Sequence, residues 1–191
     1  MRSVPERLSP QLNHIGLYVY QLREMERFYT DVLGLVVADR GVGSQGRLTF
    51  LTANPESHHQ LLLVEGRDPK SPRSNVSQLS FLVDNLDYLR RAHGRLHDAG
   101  VNVRPVNHGV SWSLYFPDPE GNNVELFTNS PWYIDQPHAE PFDPQLPTED
   151  LMATTLAMCK QDPKFSPIEE YRERVRVQLA AKLTSTPNSF G

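Results

Sequence analysis

A carboxylate and two imidazoles, Glu125, His14 and His59, are the groups in this chain whose spacing could place proton-handling chemistry around one cavity. Glu125 lies in the second arm of a hairpin, Ser111 to Phe127, whose turn contains Asp118, Pro119, Gly121 and Asn122. Strand alternation sends Val124 and Leu126 to one face and Asn123, Glu125 and Phe127 to the other, so the acid points away from the packed layer. An acid placed like that either faces water or serves a site. The same parity in Asn13 to Tyr20 makes Ile15, Leu17 and Val19 an apolar stripe and leaves His14, Gly16, Tyr18 and Tyr20 on the non-core side.

These residues are positioned by a repeat. A shift of 64 residues lays Leu12 to Val19 over Val76 to Val83, with apolar on apolar at Ile15/Leu79, Leu17/Phe81 and Val19/Val83. The same shift brings Leu22 and Met25 onto Leu86 and Leu89, Leu48 to Leu51 onto Trp112 to Tyr115, and Leu61 onto Glu125. The chain therefore reads as two copies of one strand-helix-strand-strand-strand unit. In this register His59 falls on Asn123 and shares a strand face with Leu61, so it is expected to look into the same cavity as His14. His58 is expected to face solvent.

With 191 residues there is material for one ordinary core but not for two comfortable domains. A net charge of −4, with acids and bases scattered, offers no basic stripe for nucleic acid or for an anionic membrane surface. The single cysteine, Cys159, rules out an internal disulfide framework or a cysteine-based zinc site and suits a reducing cytoplasm. The N-terminus is polar and lacks an apolar run of signal-peptide or membrane-spanning length, so a soluble, cytoplasmic protein is expected.

In chain order, residues 1–10 read as a loosely held lead-in. Leu22 to Leu33 reads as a helix over the apolar face, stopped by Gly34. Leu35 to Asp39 makes a short strand, and Gly41 to Gly46 a glycine-dependent turn. No Lys-Ser/Thr follows those glycines and no helix begins there, which excludes a phosphate loop. Arg47 to Thr52 and His58 to Glu65 complete module one, 11–66, and a surface linker follows. Module two, 76–129, has a strand to Val83, a helix from Leu86 to Ala99, a strand near Val101 to Pro105, and the hairpin. Prolines at 131, 137, 141, 144 and 147 predict an extended segment without regular structure. Helices through Lys160 and over Glu169 to Leu183 end a tail, 131–191, that is expected to wrap the domain or a partner subunit, with a homodimer or higher homo-oligomer in view.

The two-copy plan, the His of Leu12-Asn-His-Ile-Gly16 and the run Asp118-Pro-Glu-Gly-Asn-Asn-Val-Glu-Leu126 resemble the vicinal oxygen chelate superfamily, which includes glyoxalase I, bleomycin and fosfomycin resistance proteins and extradiol dioxygenases. The resemblance covers 11–130 and implies an α+β fold in which two βαβββ modules form a cupped mixed sheet, here with a C-terminal helical extension. Within the superfamily the chain looks most like single-domain extradiol dioxygenases of catechols and dihydroxybiphenyls. That resemblance implies His14 and Glu125 as metal ligands, His59 as an acid-base residue, and His108 and Tyr115 as hydrogen-bonding partners of the substrate and its intermediates. The third ligand departs from the pattern, because Gln78 stands where those enzymes carry histidine, and its neutral carbonyl is a poorer donor than imidazole. Glyoxalase I, which also uses glutamine, needs a further acid on the fourth strand, where this chain has Leu61.

The resemblance thus implies Fe(II), with Mn(II) or another divalent metal possible, and a small aromatic substrate with dioxygen. A catechol would bind through its adjacent oxygens, His59 would take its second proton, His59 and Tyr115 would stabilise developing oxygen charge, and His108 would orient the ring. Trp112, Phe127, Trp132 and Tyr133 could form an apolar wall for that ring, or pack in the core and tail. Another metal-dependent lyase, isomerase or hydrolase of the superfamily, or a metal-free binding protein, would share the fold.

Overall fold

The computed structural model describes residues 11–44, 46–70 and 76–184. The lead-in at 1–10 and part of the linker lie outside these residues. β1 (Ile15–Val19) leads into α1 (Leu22–Arg27), which widens into a π-helical turn over Phe28–Val32; β2 (Val36–Gly43), β3 (Gly46–Thr52) and β4 (Leu61–Glu65) follow. The second unit repeats this order with β5 (Leu79–Leu82), α2 (Leu86–Asp98), β6 (Arg104–Asn107), β7 (Ser111–Pro117) and β8 (Asn123–Asn129).

Each unit forms its own sheet. The first has the order β1-β4-β3-β2 and the second β10-β6-β7-β8-β5, where β10 is Glu140–Pro141. In both, the first and last strands of the unit pair in parallel and the rest antiparallel, the expected βαβββ plan.

The expected single helix from Leu22 to Leu33 changes character halfway. The π turn lets the neighbours Phe28 and Tyr29 both be buried. Gly34, at φ +82°, ends the segment in a conformation that a Cβ would oppose. The glycine-rich stretch also differs from expectation. β2 runs through Gly41 to Gly43, because Leu48 and Arg47 pair with Gly41 and Val42, and the turn is correspondingly short.

One core joins the two units, including Val19, Met25, Leu51, Leu61 and Leu63 from the first and Leu89, Leu96, Leu114 and Val124 from the second. The hairpin turn clasps them together. Asp118 accepts from the backbone N–H groups of Glu120 and Asn122, at 3.0 and 2.9 Å, which fixes the turn. Its Oδ2 receives the Tyr29 hydroxyl of the first unit at 3.0 Å. Burial, then the Asp118 charge, push the Tyr29 pKa well up. Glu120 Oε1 accepts from the N–H groups of Tyr20 and Gln21 at 2.7 and 2.8 Å, at the entry to α1, and Oε2 pairs with Arg67.

The proline-rich tail is mostly extended but not wholly irregular. β10 adds an edge to sheet two through Glu140 and Pro141, and β9 (Trp132–Tyr133) pairs with β11 (Ser166–Pro167). α3 (Thr148–Cys159) docks through Thr155, whose hydroxyl accepts from Asn107 Nδ2 at 2.9 Å and Trp112 Nε1 at 3.0 Å. α4 (Ile168–Thr184) is anchored at its start, where Tyr171 stacks on Tyr133 with ring centroids 4.3 Å apart. Through β10, α3 and the start of α4 the tail packs against its own chain. Among the described residues no helix is long and apolar enough to cross a membrane.

Candidate active site

The helices cover one face of each sheet and leave the other open. Parity assigns the candidate residues as the sequence predicts: Leu17 and Val19 are buried, while Gly16 and Tyr18 are exposed on the open face. His14 stands immediately before β1. In sheet two, Val124 and Leu126 face the core, and Glu125 is on the open side between them.

The repeat register needs a correction. Ile15 pairs with Leu61 and Leu79 with Val124, so Leu61 corresponds to Val124, and the first-unit counterpart of Glu125 is Leu62. Likewise Leu51 and Phe116 correspond, and Phe50 matches Tyr115. The 64-residue shift holds for the first strands and slips by one residue, in opposite senses, at the third and fourth. Leu61 is therefore in the core, and His59 does not reach the open face by sharing its parity. It reaches that face from the loop before β4, where its ring centroid lies 4.2 Å from that of His14, with the rings tilted, and 5.0 Å from that of Phe50, edge to face.

Glu125 does not face water, for only 6% of it is exposed. Its Oε2 accepts the Ser80 hydroxyl at 2.5 Å and the Gln78 amide nitrogen at 3.1 Å. Gln78 also donates to Ser80 at 3.0 Å, so its NH₂ is fully engaged while its carbonyl oxygen accepts no hydrogen bond among the described residues. No Lys or Arg forms an ion pair with Glu125 among those residues. A carboxylate this buried and held only by neutral donors lacks a compensating positive charge. Gln78 and Ser80 line a cleft of about 350 Å³ together with His14, where the starts of β1 and β5 approach each other.

Next to Glu125 on β7, Tyr115 points its hydroxyl at His108 Nε2, 3.0 Å away. His108 Nδ1 is 2.6 Å from the His138 carbonyl oxygen, an acceptor only, so Nδ1 carries a proton there and Nε2 is the atom that accepts from Tyr115. Burial, then the neighbouring Glu125 carboxylate, raise the Tyr115 pKa, and the phenol stays protonated. His108 is followed by Gly109 for a steric reason. At φ +74° a Cβ there would sit 2.4 Å from Ile134 Cδ1.

His59 has its pKa lowered, chiefly by burial and then by the His14 and His58 imidazoles, so it is uncharged near neutrality and able to take a proton. His58 is exposed in the main, as expected, but not isolated. Its Nδ1 lies 3.0 Å from His59 Nδ1, and its other nitrogen faces Asp39 at 3.6 Å.

Two groupings result: His14 with His58 and His59 on the first unit, and Gln78, Glu125, Tyr115 and His108 on the second. The cleft connects them at His14 and Gln78. Among the described residues no three His, Cys, Asp or Glu side chains are arranged to hold a metal, and a set built on His14 and Glu125 needs the Gln78 amide as third donor.

The expected aromatic wall is mostly absent. Trp112 is 2% exposed on the helix face, Trp132 packs edge-on against it, and Tyr133 belongs to the α4 anchor, so only Phe127 remains on the open face. Ser80 escaped the sequence reading, although its two-residue spacing from Gln78 on one strand was a usable signal. Ser113, also on the open face, is fully buried with an unpartnered hydroxyl.

Comparison with known proteins agrees with this architecture. Over 125 residues the chain is 36% identical to biphenyl-2,3-diol 1,2-dioxygenase 3 of Rhodococcus globerulus, a match covering 62% of this chain and 63% of that protein. It is 30% identical over 165 residues to biphenyl-2,3-diol 1,2-dioxygenase 2 of the same organism, covering 77% of this chain and 84% of the relative. The solved glyoxylase/bleomycin resistance protein/dioxygenase domain from Frankia sp. EAN1pec superposes with a TM-score of 0.56 at 25% identity, covering 65% of this chain and all (100%) of that one. With residues 11–126 also matching its family description, the chain belongs to the Glyoxalase/Bleomycin resistance protein/Dioxygenase superfamily.

Proposed function

We propose that the protein is a metal-dependent, extradiol-type ring-cleaving dioxygenase acting on a catechol-type aromatic substrate. The observation that carries this reading is the buried Glu125 carboxylate, gripped by Gln78 and Ser80 and lacking a cationic partner among the described residues. The donors fit a divalent cation. Glu125 supplies charge, His14 an imidazole, and Gln78 a carbonyl oxygen left free by its own hydrogen bonds. Fe(II) is the favoured ion for this chemistry. When bound, it would polarise the adjacent oxygens of a catechol and let dioxygen accept electron density.

The protein groups handle the protons. His59, neutral and packed against His14, takes the second hydroxyl proton of the substrate. Tyr115, kept protonated by burial and Glu125, donates to oxygen atoms that gain charge. In the free protein that O–H donates to His108 Nε2 and would exchange this acceptor for the substrate oxygen, while the His138 carbonyl fixes the imidazole's orientation. Ser80 holds the Glu125 carboxylate at one angle. Leu62, which corresponds to Glu125 in the first unit, would add no second carboxylate to a metal held by His14, Gln78 and Glu125.

Oxygen uptake by the Fe(II)-loaded protein with 3-substituted catechols, followed together with the yellow ring-opened product, tests this function. Uptake equal to product formation, abolished in His14→Ala, is the expected result. Bound metal without uptake on any catechol would move the protein to the lyase or isomerase branch of its superfamily.

A further inference from the structure

Beside Glu125 and Tyr115, one cation on the same face has no part in the chemistry above. Arg104 on β6 is directly opposite Tyr115, Tyr115 is opposite Glu125, and Glu125 is opposite Ser80. The four side chains form one row across the open face of sheet two. The Arg104 guanidinium carbon lies 4.8 Å from the centroid of the Tyr115 ring, which orients the group without consuming its N–H donors. Arg40, Arg47, Arg67 and Arg90 each meet an acid. Arg104 is exposed, and its side chain makes no hydrogen bond or ion pair with a described residue. An oriented, unpaired fork of donors in one row with Tyr115 and Glu125 is an arrangement for an anionic, planar acceptor.

We infer that Arg104 is a specificity-determining residue that takes a carboxylate carried by the substrate on a short arm from the catechol ring. This rests on the catechol reading of the same site. Adjacent strands lie about 5 Å apart, so Arg104 and Glu125, two strands apart, are separated by about 10 Å at the backbone. A ring held at Glu125 with an arm of two or three carbons spans that gap. A bare catechol leaves the guanidinium unused.

The matched probes are 3-(2,3-dihydroxyphenyl)propanoate and its isosteric amide, titrated calorimetrically into the full chain loaded with Fe(II) without oxygen. Wild type is expected to bind the acid roughly ten-fold or more tightly than the amide, as a charge-assisted pair would give. Arg104→Gln is expected to bring acid and amide to equal affinity, and Arg104→Lys to restore part of the preference. If both probes bind with equal affinity, or if Arg104→Gln keeps the preference, Arg104 has no such role and the catechol reading stands. If neither probe binds and 3-methylcatechol does not bind either, the catechol reading fails and this inference fails with it.

Discussion

Replacing Glu120 by alanine is expected to cost the fold about 3–5 kcal/mol, the usual loss when one partner of a buried charge pair is removed. The magnitude follows from what the carboxylate holds. Its Oε1 accepts from the backbone N–H groups of Tyr20 and Gln21 at 2.7 and 2.8 Å, and its Oε2 pairs with Arg67 at 3.4 Å. The Glu120 side chain is only 5% exposed, so water cannot readily replace it, and charge-assisted bonds of this kind are worth roughly 1.5–3 kcal/mol each. Glutamine keeps an acceptor for the two N–H groups and loses the charge, so Glu120→Gln is expected to cost about half as much. Urea unfolding followed by far-ultraviolet circular dichroism gives both values, and the alanine variant should melt on the order of 10 °C lower. A loss below about 1 kcal/mol in Glu120→Ala would refute the Glu120 part of the clasp, because the two units would then be held by core contacts and the Asp118–Tyr29 bond alone.

Gly109→Ala is expected to destabilise by about 2–4 kcal/mol, from left-handed backbone strain and the collision with Ile134, with loss of activity because His108 is displaced; urea unfolding and the catechol assay check the two parts. Ser80→Ala should weaken metal binding by roughly ten-fold, since the carboxylate loses the donor that fixes it, as read by competition with a metal-sensitive dye. The Arg40 guanidinium is the main cause holding the Glu26 carboxyl below its ordinary value of 4.5, so this pair stabilises the fold above that pH and the contribution is lost as pH falls through the lower folded value. Glu26→Gln should flatten that acid limb in a series of unfolding curves. Burial pushes the Cys159 thiol up to about 11, so a disulfide reagent at neutral pH should react slowly with the native protein and rapidly after unfolding.

Much of this was legible in the sequence because it depends on period-two parity. Ile15, Leu17 and Val19, and Val124 and Leu126, each declare a buried face, and their neighbours His14 and Glu125 follow from it. The repeat gave the unit order but not the register. A one-residue slip inverts a strand's faces, and Leu61 and Leu62 are identical in type, so composition could not choose between them. Trp112 shows the same limit from another side. Its parity with Leu114 and Phe116 on the core face was available, but its Thr155 partner is supplied by a helix far along the chain. The clasp of Asp118 and Glu120 was hidden behind turn chemistry, since residues that make a tight turn need no second reason to be present.

The measurement that bears most directly on the central claim is metal stoichiometry by elemental analysis, on protein purified and reconstituted with Fe(II) without oxygen, for wild type, His14→Ala and Glu125→Ala. One ion per chain in wild type, with much weaker retention in both variants and unchanged circular dichroism spectra, is the predicted result. Failure of wild type to hold a divalent metal, or undiminished binding in both variants, would contradict a metal centre built on His14, Gln78 and Glu125.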